Sequence, residues 1–439
     1  MVKLVIIGLG TAGFAAALAA KKQDRSAEIT IIDKKDFDLL HVCGLPYVLE
    51  RKLHSFAGLK HDINAGMMGI KVIGSCIAKK IIHEEKQVYY ENIQTKEISS
   101  IPYNTVIIAV GSYAFIPPLP GVENNPHIFT VDTLENSEKL DKAVQEAKSA
   151  AIIGAGAIGV EIAYALRNRG LNVCLIEMIP AVYPRSLDPD MSQKVESFLK
   201  DKGISLLLGK KLEKIEGSTI FIETEKIKAD IIVMATGVRP CIKLAGDSGL
   251  ATDKGGIIVN DKLQTSVPEV YAAGDSITLP SLITKKQMPS LLATTAYKQG
   301  TVAGTNAAGG NASIKGTLGT FVSVAGDMEV ASTGFNTHAA AQNNFEIVIG
   351  KATGSTLPEY MPDGKEITVK IIADKKTGKI LGAQAIGQGA AARINVVSTA
   401  MLAGMTLNEL SNVELAYCPP ISQTYDVLLS AVDIAIRKL

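Results

Sequence analysis

The sequence predicts an α/β fold made of two similar parallel-sheet units, with a third segment of α+β character after them. Three observations carry this. The glycine pattern G-x-G-x-x-G occurs twice, at Gly8-Leu9-Gly10-Thr11-Ala12-Gly13 and at Gly154-Ala155-Gly156-Ala157-Ile158-Gly159. Each copy follows a short apolar run and opens an Ala-rich stretch, the strand, turn and helix order of a nucleotide-binding βα unit. From about Gly319 the pattern changes to alternating strands and separate helices.

The elements follow in order. Val2–Ile7 reads as a strand, Gly8–Gly13 as the turn, and the next stretch to about Lys22 as a helix. Glu28–Asp33 is a second strand ending in an acid, and Thr105–Gly111 a buried third. The plan restarts with strand Ser149–Ile153, turn Gly154–Gly159, helix Val160–Arg169, strand Asn172–Glu177 and strand Ile231–Gly237. Val270–Asp275 is a strand ending in Gly-Asp, with a long helix over Leu291–Asn306. The last segment offers strands at Thr368–Ile372 and Ile380–Gln384, then helices at Ala391–Ala403 and Tyr425–Ile436.

Composition narrows the class. At 439 residues the chain exceeds a single core, and 47% apolar residues supply several. With 45 basic against 44 acidic residues, nucleic acid and anionic membrane are not expected partners. Leu4–Ala20 is apolar enough to resemble a targeting segment. It falls short of the roughly 20 residues that span a bilayer, and its glycines fit a turn better. The expected location is cytoplasmic. Five scattered cysteines without C-x-x-C give neither a disulfide framework nor a zinc site, and no metal is expected.

Each fingerprint glycine has a task. The first permits the tight turn, the second lets backbone approach a pyrophosphate, and the third lets helix and strand pack closely. The pyrophosphate then meets the N–H groups of a helix N-terminus. An acid at the end of the next strand binds ribose hydroxyls. Asp33 lies 20 residues after Gly13 and Glu177 lies 18 after Gly159, close to the expected spacing of about 20. Glu177 would repel a 2′-phosphate and so favours NADH, while nearby Arg185 keeps NADPH open.

Cys43 stands in Leu39-Leu40-His41-Val42-Cys43-Gly44-Leu45-Pro46-Tyr47. A Cys-Gly-x-Pro turn opening a helix places the thiol at a positive helix end, which favours a reactive thiolate. Cys76, Cys174 and Cys241 read as small packing residues.

With Cys43-Gly44-Leu45-Pro46-Tyr47, Ala109-Val110-Gly111, Ala235-Thr236-Gly237, Ala272-Ala273-Gly274-Asp275 and Glu414-Leu415-Ala416-Tyr417-Cys418-Pro419-Pro420, the chain resembles the pyridine nucleotide–disulfide oxidoreductase superfamily. Within it the resemblance is to the single-cysteine branch of coenzyme A disulfide reductases and their NADH oxidase and peroxidase relatives. No second Cys lies between Cys43 and Cys76. The resemblance implies two Rossmann-like dinucleotide-binding domains, one inserted in the other, and a C-terminal α+β dimerisation domain. Residues 1–113 and 243–318 would hold FAD, 114–242 NAD(P)H, and 319–439 would form a homodimer with a shared active site.

The resemblance assigns Gly8, Gly10, Thr11, Ala12, Gly13, Asp33, Lys34, Ala109, Gly111, Gly274 and Asp275 to FAD. It assigns Gly154, Gly156, Ile158, Gly159, Glu161, Glu177 and Gly237 to NADH, with Glu161 beside the nicotinamide. It makes Cys43 the catalytic thiol, with Tyr417 and Tyr360 near a substrate disulfide. Lys21, Lys22 and Arg25 match a basic stretch that binds coenzyme A phosphates in relatives; a solvated helix end is the plainer reading. His41 is either a structural histidine or a group acting on substrate. Cys418 stands where the family has Ala, either packed or as a resolving thiol for the other subunit's Cys43.

The expected activity is FAD-dependent NAD(P)H:disulfide reduction through a mixed disulfide at Cys43, with coenzyme A disulfide as the first substrate. Oxidase relatives commonly carry a His inside the first fingerprint where this chain has Thr11, which weighs against oxygen reduction. Coenzyme A-dependent persulfide or polysulfide reduction is a further alternative, disfavoured by the lack of a rhodanese-like segment after residue 439. A ferredoxin-type reductase or a nucleotide-sensing flavoprotein would leave Cys43 inert.

Overall fold

The computed structural model describes every residue except Thr224. The chain forms two compact units, one of residues 1–45, 54–113 and 238–317, the other of 46–53, 114–237 and 318–439.

In the first unit the strand Lys3–Ile7 lies at the centre of a five-stranded parallel sheet. The order is Val270–Ala272, Thr105–Ile108, Lys3–Ile7, Glu28–Ile32, Ile70–Ile73. Both faces of the central strands Lys3–Ile7 and Thr105–Ile108 are covered, which is why they read as nearly unbroken Val and Ile runs, while Lys71 on the edge strand Ile70–Ile73 is exposed. The Leu4–Ala20 segment is strand Lys3–Ile7 and helix Thr11–Gln23. That helix packs against Ala293–Ala307. A Cβ on Gly300 would stand 2.1 Å from the Ala12 carbonyl oxygen, and one on Gly304 2.1 Å from that of Ala16. Only glycine at positions 300 and 304 lets the two helices approach so closely, and the small alanines opposite keep the facing side of the first helix low.

The second unit repeats the arrangement. Its parallel sheet runs Ile128–Phe129, Ile231–Met234, Ser149–Ile153, Asn172–Glu177, Ser205–Leu208, again with the strand before the fingerprint in the middle. The same unit carries an antiparallel sheet ordered Phe321–Ala325, Met328–Gly334, Ile380–Gly387, Glu366–Asp374, Ile347–Ser355. Helices Ala390–Ala403 and Val427–Ile436 pack on it, an α+β arrangement as the sequence implied.

Boundaries differ from expectation where side-chain pattern is a poor guide. The strand expected over Val270–Asp275 stops at Ala272, because Gly274 turns the chain at φ +85°. Two three-stranded antiparallel sheets, over Cys76–Pro102 and Leu212–Lys228, were not anticipated. Their strands are half-exposed and mix Lys and Glu with Ile and Tyr, which blurs the alternation. Among the described residues no helix is long and apolar enough to cross a membrane.

Candidate functional site

The two fingerprints are built alike. The Gly8 N–H donates to the Ile32 carbonyl at 2.8 Å, and the Gly154 N–H to Ile176 at 2.7 Å. The next amide in each turn reaches the acid: Leu9 N–H donates to Asp33 Oδ2, and Ala155 N–H donates to Glu177 Oε2 at 2.9 Å. Each acid's other oxygen takes an amide two residues on, from Lys35 at 2.8 Å and from Ile179 at 2.9 Å. Both carboxylates are thereby oriented before any ligand arrives.

The glycines fit a bound dinucleotide pyrophosphate. A Cβ on Gly8 would lie 2.4 Å from the Ala109 oxygen, and one on Gly154 2.3 Å from that of Ala235. A Cβ on Gly13 or Gly159 would stand 1.9 Å from the carbonyl oxygen of its own turn. At Gly10 and Gly156 a Cβ meets nothing within 4 Å. The first and third glycines are therefore required by the protein itself. The second in each copy faces open space, where backbone N–H groups can receive an anion. Thr11 opens the first helix and Ala12 packs beneath it, while Ile158 is exposed at the corresponding place in the second.

Asp275 lies in the first unit and is mostly buried. Burial raises its carboxyl above the ordinary range, and a 3.0 Å hydrogen bond from Ser112 Oγ opposes this. Gly274 N–H donates to Gln299 Oε1 at 2.6 Å. Ala109 is pinned by its N–H to Ile7, and the Gly111 carbonyl accepts the Cys241 N–H at 2.9 Å. In the second unit the Gly237 carbonyl accepts the Phe115 N–H at 2.9 Å. Lys34 is exposed, and it is Lys35 whose ammonium pairs with Asp33 at 2.6 Å. Sequence spacing did not single out Lys35, Ser112 or Gln299; the partners of Ser112 and Gln299 lie far along the chain, and of the neighbouring Lys34 and Lys35 nothing local marks which one turns back to Asp33.

Cys43 is exposed in the 3-10 turn Val42–Gly44, and the helix Leu45–Leu49 follows it. Five residues make a weak dipole, so the helix end contributes less to thiolate stability than a long helix would. His41 N–H donates to Leu59, and its ring lies 5.7 Å from that of His61. Burial raises the thiols of Cys76 and Cys241, and pushes Cys174 up to about 11. These three stay protonated near neutral pH, in keeping with packing roles.

In the second unit the hydroxyls of Tyr360 and Tyr417 meet at 3.0 Å on an exposed surface, with Cys418 beside them. Glu161 faces a small pocket with Tyr47, Glu50, Lys52, Tyr164 and Val324. Burial raises its carboxyl, opposed by hydrogen bonds from Ser323 and the Val324 amide. In the basic stretch, Lys21 is tied to the Ala27 carbonyl at 2.8 Å, whereas Lys22 and Arg25 are exposed.

Known proteins share this architecture. Residues 2–300 match the family model described as Pyridine nucleotide-disulphide oxidoreductase, and 321–427 match its dimerisation domain. The chain is 35% identical to an NADH oxidase from Methanocaldococcus jannaschii, over 100% of this chain and 99% of that one. It is 29% identical to a Coenzyme A disulfide reductase from Staphylococcus haemolyticus, over the full length of both. A solved NAD-Dependent Persulfide Reductase from A. fulgidus superposes with a TM-score of 0.96 at 32% identity, covering 99% of this chain and 83% of that one.

Proposed function

The chain belongs to the pyridine nucleotide-disulphide oxidoreductases, and from that premise we propose that it reduces the sulfur–sulfur bond of a coenzyme A disulfide at Cys43. It is an FAD-dependent NAD(P)H oxidoreductase that uses FAD and NAD(H). The observation carrying the sulfur reading is the exposed Cys43 in its Cys-Gly-Leu-Pro-Tyr turn. A relative named Coenzyme A disulfide reductase supports it.

In this reading residues 1–113 and 243–318 hold FAD, 114–242 hold the nicotinamide cofactor, and 319–439 pair two subunits. Gly8 to Gly13, Asp33 and Asp275 cradle FAD; Gly154 to Gly159 and Glu177 hold NADH, with Glu161 beside the nicotinamide. When bound, FAD supplies a two-electron relay between NADH and sulfur. The Cys43 thiolate attacks one sulfur of the substrate, forming a mixed disulfide and releasing the other half as a thiolate. Tyr417, hydrogen-bonded to Tyr360, hands that thiolate its proton. Two electrons from NADH then cleave the mixed disulfide and restore the Cys43 thiolate. In sum, one NADH and one proton convert one disulfide to two thiols. Lys22 and Arg25 offer cations to substrate phosphates. A reducing compartment such as the cytoplasm suits thiols kept out of disulfides.

Two alternatives keep Cys43 at the centre. Oxygen reduction would pass through a Cys43 sulfenic acid, and a relative named NADH oxidase favours it. Persulfide reduction would place a persulfide on Cys43, and the A. fulgidus structure favours that. Anaerobic NADH titration, followed by coenzyme A disulfide, coenzyme A persulfide or oxygen, ranks the acceptors. Disulfide turnover should lead, and Cys43→Ser should reduce it to the uncatalysed background while NADH still bleaches the flavin. Full disulfide turnover by Cys43→Ser would reject the reading.

A further inference from the structure

The Glu161 carboxyl, on the helix Ala157–Asn168, ends a buried hydrogen-bond chain. Its Oε1 accepts from Ser323 Oγ at 2.7 Å, and Ser323 Oγ lies 3.0 Å from the Tyr183 hydroxyl. Tyr183 is 2% exposed and sits at φ +52°. A bulky residue holds that left-handed conformation only where its surroundings over-determine it, and such strain gathers at functional positions. The surroundings here are explicit. The Tyr183 N–H donates to the Ala155 carbonyl at 2.8 Å, inside the second fingerprint, and its ring packs 6.0 Å from that of Phe321. One tyrosine thus touches the fingerprint turn, the strand Phe321–Ala325 and, through Ser323, the helix carboxyl.

The chain has a direction. A serine hydroxyl carries one proton, and when Ser323 donates it to Glu161, Tyr183 must be the donor to Ser323. Without Tyr183 the Ser323 hydroxyl is free to turn away. The other groups facing Glu161 are the Val324 amide, Tyr47, Glu50, Lys52 and Tyr164, with Lys52 paired to Glu50 at 2.9 Å. Burial and Glu50 disfavour the charged carboxyl; Ser323 and the Val324 amide favour it.

We propose that Tyr183, acting through Ser323, is a positioning residue that fixes the orientation and charge of the Glu161 carboxyl at the second nucleotide site. The proposal rests on the reading that Glu161 lies beside the nicotinamide. It also assigns the strand Phe321–Ala325 a part in the nicotinamide half-reaction, beyond any part in pairing subunits.

The test is stopped-flow reduction of the flavin by NADH across pH, in the FAD-loaded protein. Ser323→Ala should slow it about tenfold and Tyr183→Phe about threefold, the range of one buried hydrogen bond removed or loosened. Both should move the pH midpoint of the rate upward, and with it the Glu161 carboxyl titration followed in the apoprotein by isotope-edited infrared spectroscopy, because each weakens donation to the carboxylate. In a Glu161→Gln background Tyr183→Phe should have no further effect. A wild-type rate and midpoint in Tyr183→Phe and Ser323→Ala, or equal slowing by Tyr183→Phe in the Glu161→Gln background, would overturn the proposal. If Tyr183→Phe fails to retain FAD, Ser323→Ala decides alone, since it removes one oxygen from the same link. A Glu161→Gln protein with an unchanged rate sinks the placement of Glu161 and this proposal with it, and leaves the role of Cys43 standing.

Discussion

The Tyr360 and Tyr417 hydroxyls lie 3.0 Å apart although 57 residues separate them. Hydrogen bonding from Thr424, and then from Tyr360, holds the Tyr417 hydroxyl below the ordinary tyrosine range, while the bond to Tyr417 raises Tyr360. Tyr417 is therefore the member of the pair that ionises first, with Tyr360 as its donor.

If Tyr417 protonates the leaving thiolate, Tyr417→Phe should lower disulfide turnover about a hundredfold. Flavin reduction by NADH should be unchanged. An acid must be protonated to act, so activity is lost as pH rises through its pKa. The alkaline limb of kcat/KM should then fall below the usual tyrosine value of about 10. Tyr360→Phe removes one of the contacts that lower Tyr417, and should move that limb upward. An alkaline limb at the same pH in wild type and Tyr360→Phe rules the pair out as the acid.

The second glycine of a fingerprint separates binding from folding. A Cβ on Gly10 meets no protein atom within 4 Å, whereas one on Gly13 falls 1.9 Å from the Gly8 oxygen. Gly10→Ala should leave the melting temperature of the apoprotein nearly unchanged and weaken FAD binding at least about tenfold, near 1.4 kcal/mol. Gly13→Ala should instead destabilise the apoprotein by about 1–3 kcal/mol. Calorimetry on apoprotein with and without added FAD distinguishes the two. Normal FAD affinity in Gly10→Ala would remove the pyrophosphate from that turn.

These contrasts show what was legible in the sequence. Gly13 packs on Gly8 within one local turn and Gly10 opens that turn, so their spacing revealed the strand, turn and helix in both copies, although the Ala109 backbone that crowds Gly8 lies far along the chain. The parallel sheets followed from apolar runs such as Val106–Ile108 and Ile231–Met234, buried on both faces. Ser323, 162 residues from Glu161, and Gln299, 25 from Gly274, left no such trace. Their partners are set by how distant strands and helices pack, and a lone Ser or Gln carries no periodic signal. The sheets over Cys76–Pro102 and Leu212–Lys228 escaped for another reason, because their strands are short and set exposed Lys and Glu among the buried residues.

Glu177 takes the amides of Ala155 and Ile179 on its two oxygens, which fixes the carboxylate at the end of the strand, where the proposed reading puts the ribose. Glu177→Gln keeps the size and removes the charge. The ratio of kcat/KM for NADPH over NADH should rise about tenfold, with exposed Arg185 available to the 2′-phosphate. Steady-state kinetics with both nucleotides measures it. An unchanged ratio would mean that Glu177 serves only to shape the turn.

Lys370 is buried between two aspartates. Its ammonium lies 2.8 Å from Asp188 and 2.7 Å from Asp190, and the Lys370 and Asp188 side chains are 6% and 2% exposed. Asp188 also accepts from the Thr337 amide at 2.9 Å, the Thr337 hydroxyl at 2.7 Å and Gln384 at 2.9 Å. Lys370→Met removes the only full positive charge among these partners and leaves a buried carboxylate uncompensated. The expected loss of stability is about 3–5 kcal/mol, read as a shift in the denaturant midpoint. Asp188→Asn in the same background should recover part of it, because the amide carries no charge to strand. The sign with pH is fixed by Asp190. Burial pushes its carboxyl up, but hydrogen bonds and charge from Lys351 and Lys370 outweigh this and leave it below 3.8. Its contribution is therefore present above that value and lost as pH falls through the lower folded one. Lys370→Met removes one of the two cations and should shrink this acid-dependent part. An unchanged midpoint in Lys370→Met, or no recovery with Asp188→Asn, would show that the buried pair is not what holds helix Pro189–Asp201 to the strand Glu366–Asp374.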